Sequence, residues 1–97
     1  MINEKLIKQV EEFKYMMIDV LNNNSHKSGW DEMSYHQLFN RLKQEFEEIQ
    51  KEYILSNNSC SKIEKEKHLN NLHHELIDLT NFCLFMEFSL KEYRQTI

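Results

Sequence analysis

The chain has 97 residues, no proline and a single glycine, Gly29, and its formal net charge is −4. This length suits one domain and is too short for two ordinary hydrophobic cores. With so little glycine and proline, the turn signals that β-hairpins require are almost missing, which favours helices, and the glycine-rich loops that cradle phosphates are excluded. The composition therefore predicts one all-α domain over residues 1–97.

Charge and hydropathy patterns also limit the expected partners. Lysine and arginine are scattered among the acidic residues and form no basic stripe, so we expect no nucleic-acid partner. The longest nearly apolar run, residues 82–88, is too short to span a bilayer, and the N-terminus lacks a signal-peptide core. We expect no membrane partner and a cytoplasmic protein, with Cys60 and Cys83 as free thiols.

The first predicted helix runs from about Glu4 to Leu21. Its apolar residues recur at spacings of three and four and form one stripe: Leu6, Val10, Phe13, Met17 and Val20 or Leu21. The run of asparagine and serine at 22–25 favours a turn, because these side chains compete for backbone hydrogen bonds.

The second predicted helix begins after Ser34, which has the spacing of a capping box with Gln37. It ends at the polar run 56–59. Its apolar face consists of Leu38, Leu42, Phe46, Ile49 and Tyr53.

The third predicted helix begins after Ser61, which is placed to form a capping box with Glu64, and its pattern continues to about Tyr93. A break at residues 70–71 would turn this segment into two helices, so we expect a bundle of three to four helices. From Phe82 onward the segment is apolar nearly all round. A second copy is the simplest cover for it, and this predicts a homodimer or homotetramer.

Carboxylates on the second and third predicted helices are the candidates for chemistry. Glu45, Glu48 and Glu52 fall in one line on the second helix, and Glu75 and Asp78 lie beside the apolar stripe of the third. A single acidic pair is usually a solvated helix face. Two pairs facing each other across antiparallel helices would surround a space that suits a hard divalent cation.

These residues also carry a family resemblance. The pattern is Lys27-x-Gly29-Trp30, Leu38-x-x-Arg41, Gln44-Glu45-x-x-Glu48 and Glu75-x-x-Asp78-x-x-Asn81-Phe82. From about residue 26 to 86 it resembles the MazG-like branch of the all-α nucleoside triphosphate pyrophosphohydrolases. That family has a Glu-Glu-x-x-Glu helix followed by a Glu-x-x-Asp helix. Gln44 replaces the first glutamate here, which puts a ligand or a water-activating carboxylate in doubt.

The resemblance implies hydrolysis of a nucleoside or deoxynucleoside triphosphate to the monophosphate and pyrophosphate, with Mg²⁺, or alternatively Mn²⁺, as cofactor. Water would attack the α-phosphorus while metal ions hold the triphosphate. The implied catalytic and metal-binding residues are Glu45, Glu48, Glu75 and Asp78. The implied substrate-binding residues are Lys27 for phosphate, Trp30 for the base, Arg41, and Asn81 for substrate or a metal-bound water.

Several alternatives stay open. The protein could be a sensor or sequestering module that binds nucleotide or metal without turnover, or a purely structural helical protein. Trp30 could be a core plug, Lys27 an ordinary surface lysine, and Arg41 a structural partner of Glu45. A zinc site at His68, His73 and His74 is rejected because no third nitrogen ligand has a suitable spacing.

Overall fold

The computed structural model describes residues 3–23 and 29–97. It contains the α-helices α1 (Glu4–Asn23), α2 (Tyr35–Asn58) and α3 (Lys62–Thr96), and a short 3₁₀ turn at Trp30–Glu32 precedes α2. No strand occurs within these two described ranges. The predicted all-α bundle is confirmed, with three α-helices.

Local sequence signals set the starts of α2 and α3. The backbone N–H of Gln37 donates to Ser34 Oγ at 3.2 Å, and the backbone N–H of Ser34 donates to Gln37 Oε1 at 2.8 Å. This is the predicted capping box. At the start of α3, the backbone N–H of Glu64 donates to Ser61 Oγ at 3.1 Å. Both predicted helix starts are therefore confirmed, but α3 has only the Ser61 half of its predicted capping box.

Two predicted helix features differ from the structure. α1 extends two residues past Leu21, and α3 is one continuous helix of 35 residues, so the break considered at residues 70–71 is wrong. An asparagine inside a helix costs only a few tenths of a kcal/mol, roughly 0.7 at most. Packing of α3 against α2 along its length outweighs that local preference.

α2 and α3 form an antiparallel hairpin. Near the turn, His68 Nδ1 lies 2.8 Å from Glu52 Oε2, and farther along, the Arg41 guanidinium lies 4.9 Å from the ring centroid of Phe82. Earlier positions of α2 therefore face later positions of α3. α1 packs against α3 as well. The inner face of the hairpin is where the candidate carboxylates meet.

The hydrophobic core is small for a chain of this length. Leu38 and Ile77 are the only apolar residues that are buried in the described part of the chain. The radius of gyration is 16.0 Å and the principal extents are 52 × 35 × 26 Å. A compact domain of about 100 residues has a radius near 13 Å. The single chain is therefore elongated and leaves much apolar surface exposed.

The apolar segment 82–88 is partly covered by its own chain. The Trp30 ring stacks flat on Phe85, with ring centroids 4.7 Å apart, and lies tilted against Phe88 at 5.9 Å. Arg41 covers part of Phe82. Phe88 is still 51% exposed. The sequence pattern suggested a second copy as the simplest cover for this segment. In the structure, residues of the same chain already cover part of it.

None of the described helices is long and apolar enough to cross a membrane.

Candidate metal centre

Three carboxylates from two helices converge on one point. Glu45 and Glu48 lie one turn apart on α2, and Glu75 faces them from α3. One oxygen from each lies within 4.8 Å of the others. Around a six-coordinate Mg²⁺ with ligand distances of about 2.1 Å, two oxygens are at most about 4.2 Å apart. The three oxygens therefore fit one divalent cation after small side-chain movements.

Asp78, the fourth predicted ligand, lies beside this group but not within it. The three-oxygen group contains Glu45, Glu48 and Glu75 only. The pKa of Asp78 is nevertheless raised, first by burial and then by the charge of Glu48, while His74 opposes the rise. Asp78 therefore belongs to the same electrostatic cluster, one turn farther along α3.

The pKa values of Glu75 and Glu45 are both raised in the structure. Burial is the largest cause that raises the pKa of Glu75 to about 7, followed by a hydrogen bond with Glu48 and the charge of Glu48. Burial and the charge of Glu48 also raise the pKa of Glu45, against the opposing charge of Arg41. Crowded, desolvated carboxylates behave in this way when no cation neutralises them. A divalent cation would provide that neutralisation.

Buried polar atoms around the cluster lack partners. Glu45 Oε2, Glu75 Oε2 and both amide atoms of Asn81 make no hydrogen bond within the described part of the chain. Glu45 is 4% exposed and Asn81 is 3% exposed. Each such unsatisfied group costs about 1–3 kcal/mol. Hard-metal coordination would satisfy the carboxylate oxygens, and a water or ligand oxygen would satisfy the amide of Asn81.

Arg41 fixes one side of the centre. Its Nη2 donates to Glu45 Oε1 at 3.0 Å, which confirms the predicted i,i+4 pair, and its Nη1 donates to Gln44 Oε1 at 2.6 Å. Its guanidinium also lies over the ring of Phe82. Arg41 therefore binds only one Glu45 oxygen and leaves the other free for a cation. Gln44, at the position that departs from the family pattern, is a partner of Arg41.

Of the predicted substrate-binding residues Trp30 and Lys27, the structure describes only Trp30. Trp30 is stacked on Phe85, as expected for a tryptophan that packs against the protein's own apolar residues. One face of its ring is therefore already covered. Base stacking by Trp30 stays a prediction for the other face. Lys27 lies outside the described residues.

Sequence reasoning missed the pair formed by His68 and Glu52. The sequence pattern presents His68 only as a candidate zinc ligand and Glu52 only as part of the line of carboxylates. In the structure their side chains are 16% and 17% exposed and lie 2.8 Å apart. The helix register across the turn would have revealed this contact, because residues near the two helix ends must face each other in an antiparallel hairpin.

No family model, curated protein or solved structure matches this chain. The resemblance to the MazG-like pyrophosphohydrolases therefore stands on the residues, order and spacing quoted above, and it enters the functional argument as a hypothesis.

Proposed function

We propose that this protein is a MazG-like pyrophosphohydrolase that converts a nucleoside or deoxynucleoside triphosphate to the monophosphate and pyrophosphate with Mg²⁺, or alternatively Mn²⁺. One observation carries the proposal: carboxylates of Glu45, Glu48 and Glu75 converge within 4.8 Å between two helices. The buried oxygens without partners on Glu45 and Glu75 support a cation at this point. An ordinary solvated acidic face would not leave buried carboxylate oxygens without partners.

The residues have distinct proposed roles. Glu45, Glu48 and Glu75 hold the metal, and Asp78 extends the negative cluster toward the position of Asn81 on α3. The bound metal would withdraw charge from phosphoryl oxygens and lower the pKa of a coordinated water. The buried amide of Asn81 has both donor and acceptor capacity free, so it suits a phosphate oxygen or an attacking water.

The second candidate function is a nucleotide- or metal-binding module without turnover, acting as a sensor or sequestering protein. The contact between Gln44 and Arg41 favours this alternative. Gln44 cannot ionise, and its Oε1 already accepts a 2.6 Å hydrogen bond from Arg41. A water-activating carboxylate is therefore absent at this position, although the three metal-binding carboxylates are kept.

Pyrophosphate release from a panel of nucleoside and deoxynucleoside triphosphates tests the proposal. The full chain is incubated with Mg²⁺ and compared with Glu75→Gln, and Glu66→Gln provides an exposed control on the same helix. We expect release by the wild-type chain and by Glu66→Gln, and none by Glu75→Gln. Nucleotide binding without release would favour the binding module. No binding of any triphosphate would contradict both the enzyme and a nucleotide-binding module.

We also propose that the protein acts in the cytoplasm as a homodimer or homotetramer. The support is the small core of the single chain together with its many exposed apolar side chains. Sedimentation velocity over a range of concentrations tests the oligomeric state. A monomer at all concentrations would contradict it.

A further inference from the structure

The outer side of α2 carries an aromatic stripe, defined here as Phe39, Phe46 and Tyr53. These residues are spaced by seven positions, and their side chains are 57%, 51% and 57% exposed. Seven residues are nearly two helical turns, so the three rings lie in line over roughly 20 Å. No other described helix buries them. Isolated exposed apolar residues are ordinary, but a line of half-exposed aromatic rings is typical of an interface.

The aromatic stripe is separate from the candidate metal centre. On a helix with about 100° per residue, Glu45 lies about a quarter turn from Phe46 and Glu48 lies on the far side. Glu45 is buried toward α3, whereas Phe46 is half exposed. The half-buried Leu42 and Ile49 form the inner edge of the stripe, next to the hairpin. A partner seated on the stripe would therefore leave the acidic cluster free.

The spacing of the stripe is self-complementary. Phe46 lies midway between Phe39 and Tyr53. A two-fold axis at Phe46 would place α2 antiparallel to α2 of a second copy. Phe46 would then face Phe46, and Phe39 would face Tyr53. Isologous interfaces of this kind need one patch that matches itself, and the stripe satisfies that condition.

Charges beside the stripe match the same arrangement. Lys43 and Glu47 are exposed and flank Phe46 on one side of α2, with Lys43 before it and Glu47 after it. A two-fold axis perpendicular to the helices places this side of one copy next to the same side of the other copy, with the two helices running in opposite directions. Lys43 of each copy would therefore lie next to Glu47 of the other. In a parallel two-fold pairing, the sides that carry Lys43 and Glu47 would lie on opposite flanks of the interface, so this pairing of opposite charges would be lost.

The stripe supplies a substantial part of a stable interface. Aromatic side chains bury about 150–250 Å² each when covered. Three rings that are about half exposed therefore offer on the order of 300 Å² per copy, against the roughly 800 Å² per partner of a standard interface. The remaining area is available on neighbouring exposed residues such as Ile54, which is 55% exposed.

We infer that the aromatic stripe of α2 is the surface on which two copies of this chain pair, antiparallel and about a two-fold axis at Phe46. The inference deepens the proposed self-association by naming its surface, and it does not depend on catalysis. Phe46 is the only stripe residue that meets itself across such an axis.

Site-directed disulfide formation tests this inference. In a chain carrying Cys60→Ser and Cys83→Ser, Phe46→Cys is compared with Lys51→Cys, which lies on the opposite side of α2. Under mild oxidant we expect Phe46→Cys to form a covalent dimer at least about tenfold more than Lys51→Cys, because disulfides need Cα atoms within about 7 Å. Equal cross-linking of both variants would overturn the proposal.

Charge reversal provides a second measurement that keeps the aromatic rings intact. We expect Lys43→Glu and Glu47→Lys each to weaken the dimer in sedimentation velocity, and the double variant to restore it, because the pair is only exchanged between copies. Additive weakening in the double variant would overturn the proposed surface. A monomeric wild-type chain would overturn the surface and the self-association together, whereas a dimer indifferent to all three variants would overturn the surface alone.

Discussion

Arg41 is the positively charged partner of Glu45. It neutralises one oxygen of a carboxylate that is 4% exposed and leaves the second oxygen without a partner. The contacts with Gln44 and Phe82 hold the guanidinium in position. Gln44 therefore contributes to the position of Arg41 in this chain.

Replacing Arg41 should destabilise the metal-free protein. We expect Arg41→Ala to lower the free energy of unfolding by about 1–3 kcal/mol, because Glu45 would remain buried without its counter-charge, although the partly exposed Arg41 reduces the effect. Mg²⁺ should recover part of this loss. Chemical denaturation with and without Mg²⁺ measures both effects.

The exposed ion pair of Lys14 and Glu11, with an N to O distance of 3.2 Å, provides the matched control. Lys14→Ala should change stability by less than about 0.5 kcal/mol. An Arg41→Ala variant that behaves like Lys14→Ala would show that Arg41 has no role in balancing the acidic cluster.

Gln44→Glu should separate the enzyme from the binding module. A carboxylate at this position would restore the family pattern and could activate water, so we expect pyrophosphate release to rise about tenfold or more. Steady-state assays at saturating Mg²⁺ measure the change. Unchanged triphosphate binding with no release in either form would favour the module and contradict the proposed catalytic role.

The hairpin of α2 and α3 holds the mutually repelling carboxylates of the acidic cluster close together. Its packing brings carboxyl groups together that each helix alone would leave in solvent. Burial in the hairpin is the main reason that the pKa of Glu75 rises from 4.5 to about 7, and the hydrogen bond with Glu48 and the charge of Glu48 raise it further. Between these values Glu75 binds more protons in the folded state than in the unfolded state, so its contribution to stability falls as pH rises through this window.

This linkage predicts a pH-dependent stability for the hairpin. Without metal, the melting temperature should be higher near pH 5 than near pH 8, because ionisation of Glu75 is disfavoured in the fold. Saturating Mg²⁺ should flatten or reverse the slope, and Glu75→Gln should flatten it without metal. Thermal melts across pH measure these slopes. A metal-free protein that gains stability from pH 5 to pH 8 would contradict the burial of Glu75.

For the molecule as a whole, the sequence was sufficient for the features that depend on local chemistry. The capping residues Ser34 and Ser61 located two helix starts, and helical spacing placed Glu45 and Glu48 on one side of α2. The continuity of α3 was not predictable locally, because tertiary packing overrides the weak turn preference of two asparagines.

To predict the two missed contacts, one would need to know the register between α2 and α3 and the path of the segment before α2. The stacking of Trp30 on Phe85 depends on where that segment lies against α3. The contact between His68 and Glu52 depends on the register across the hairpin turn. Neither arrangement is a property of any one segment, so periodicity and spacing could not reveal them.

Magnesium-dependent thermal stabilisation tests the central claim, a metal site between α2 and α3, most directly. At ten times the dissociation constant, Mg²⁺ should raise the melting temperature by about 5–10 °C in a domain of this size. The shift should persist in Glu66→Gln and disappear in Glu75→Gln, whose metal-free form should itself be more stable than the wild type. Absence of a shift in the wild-type chain, or an equal shift in all three proteins, would contradict the metal site.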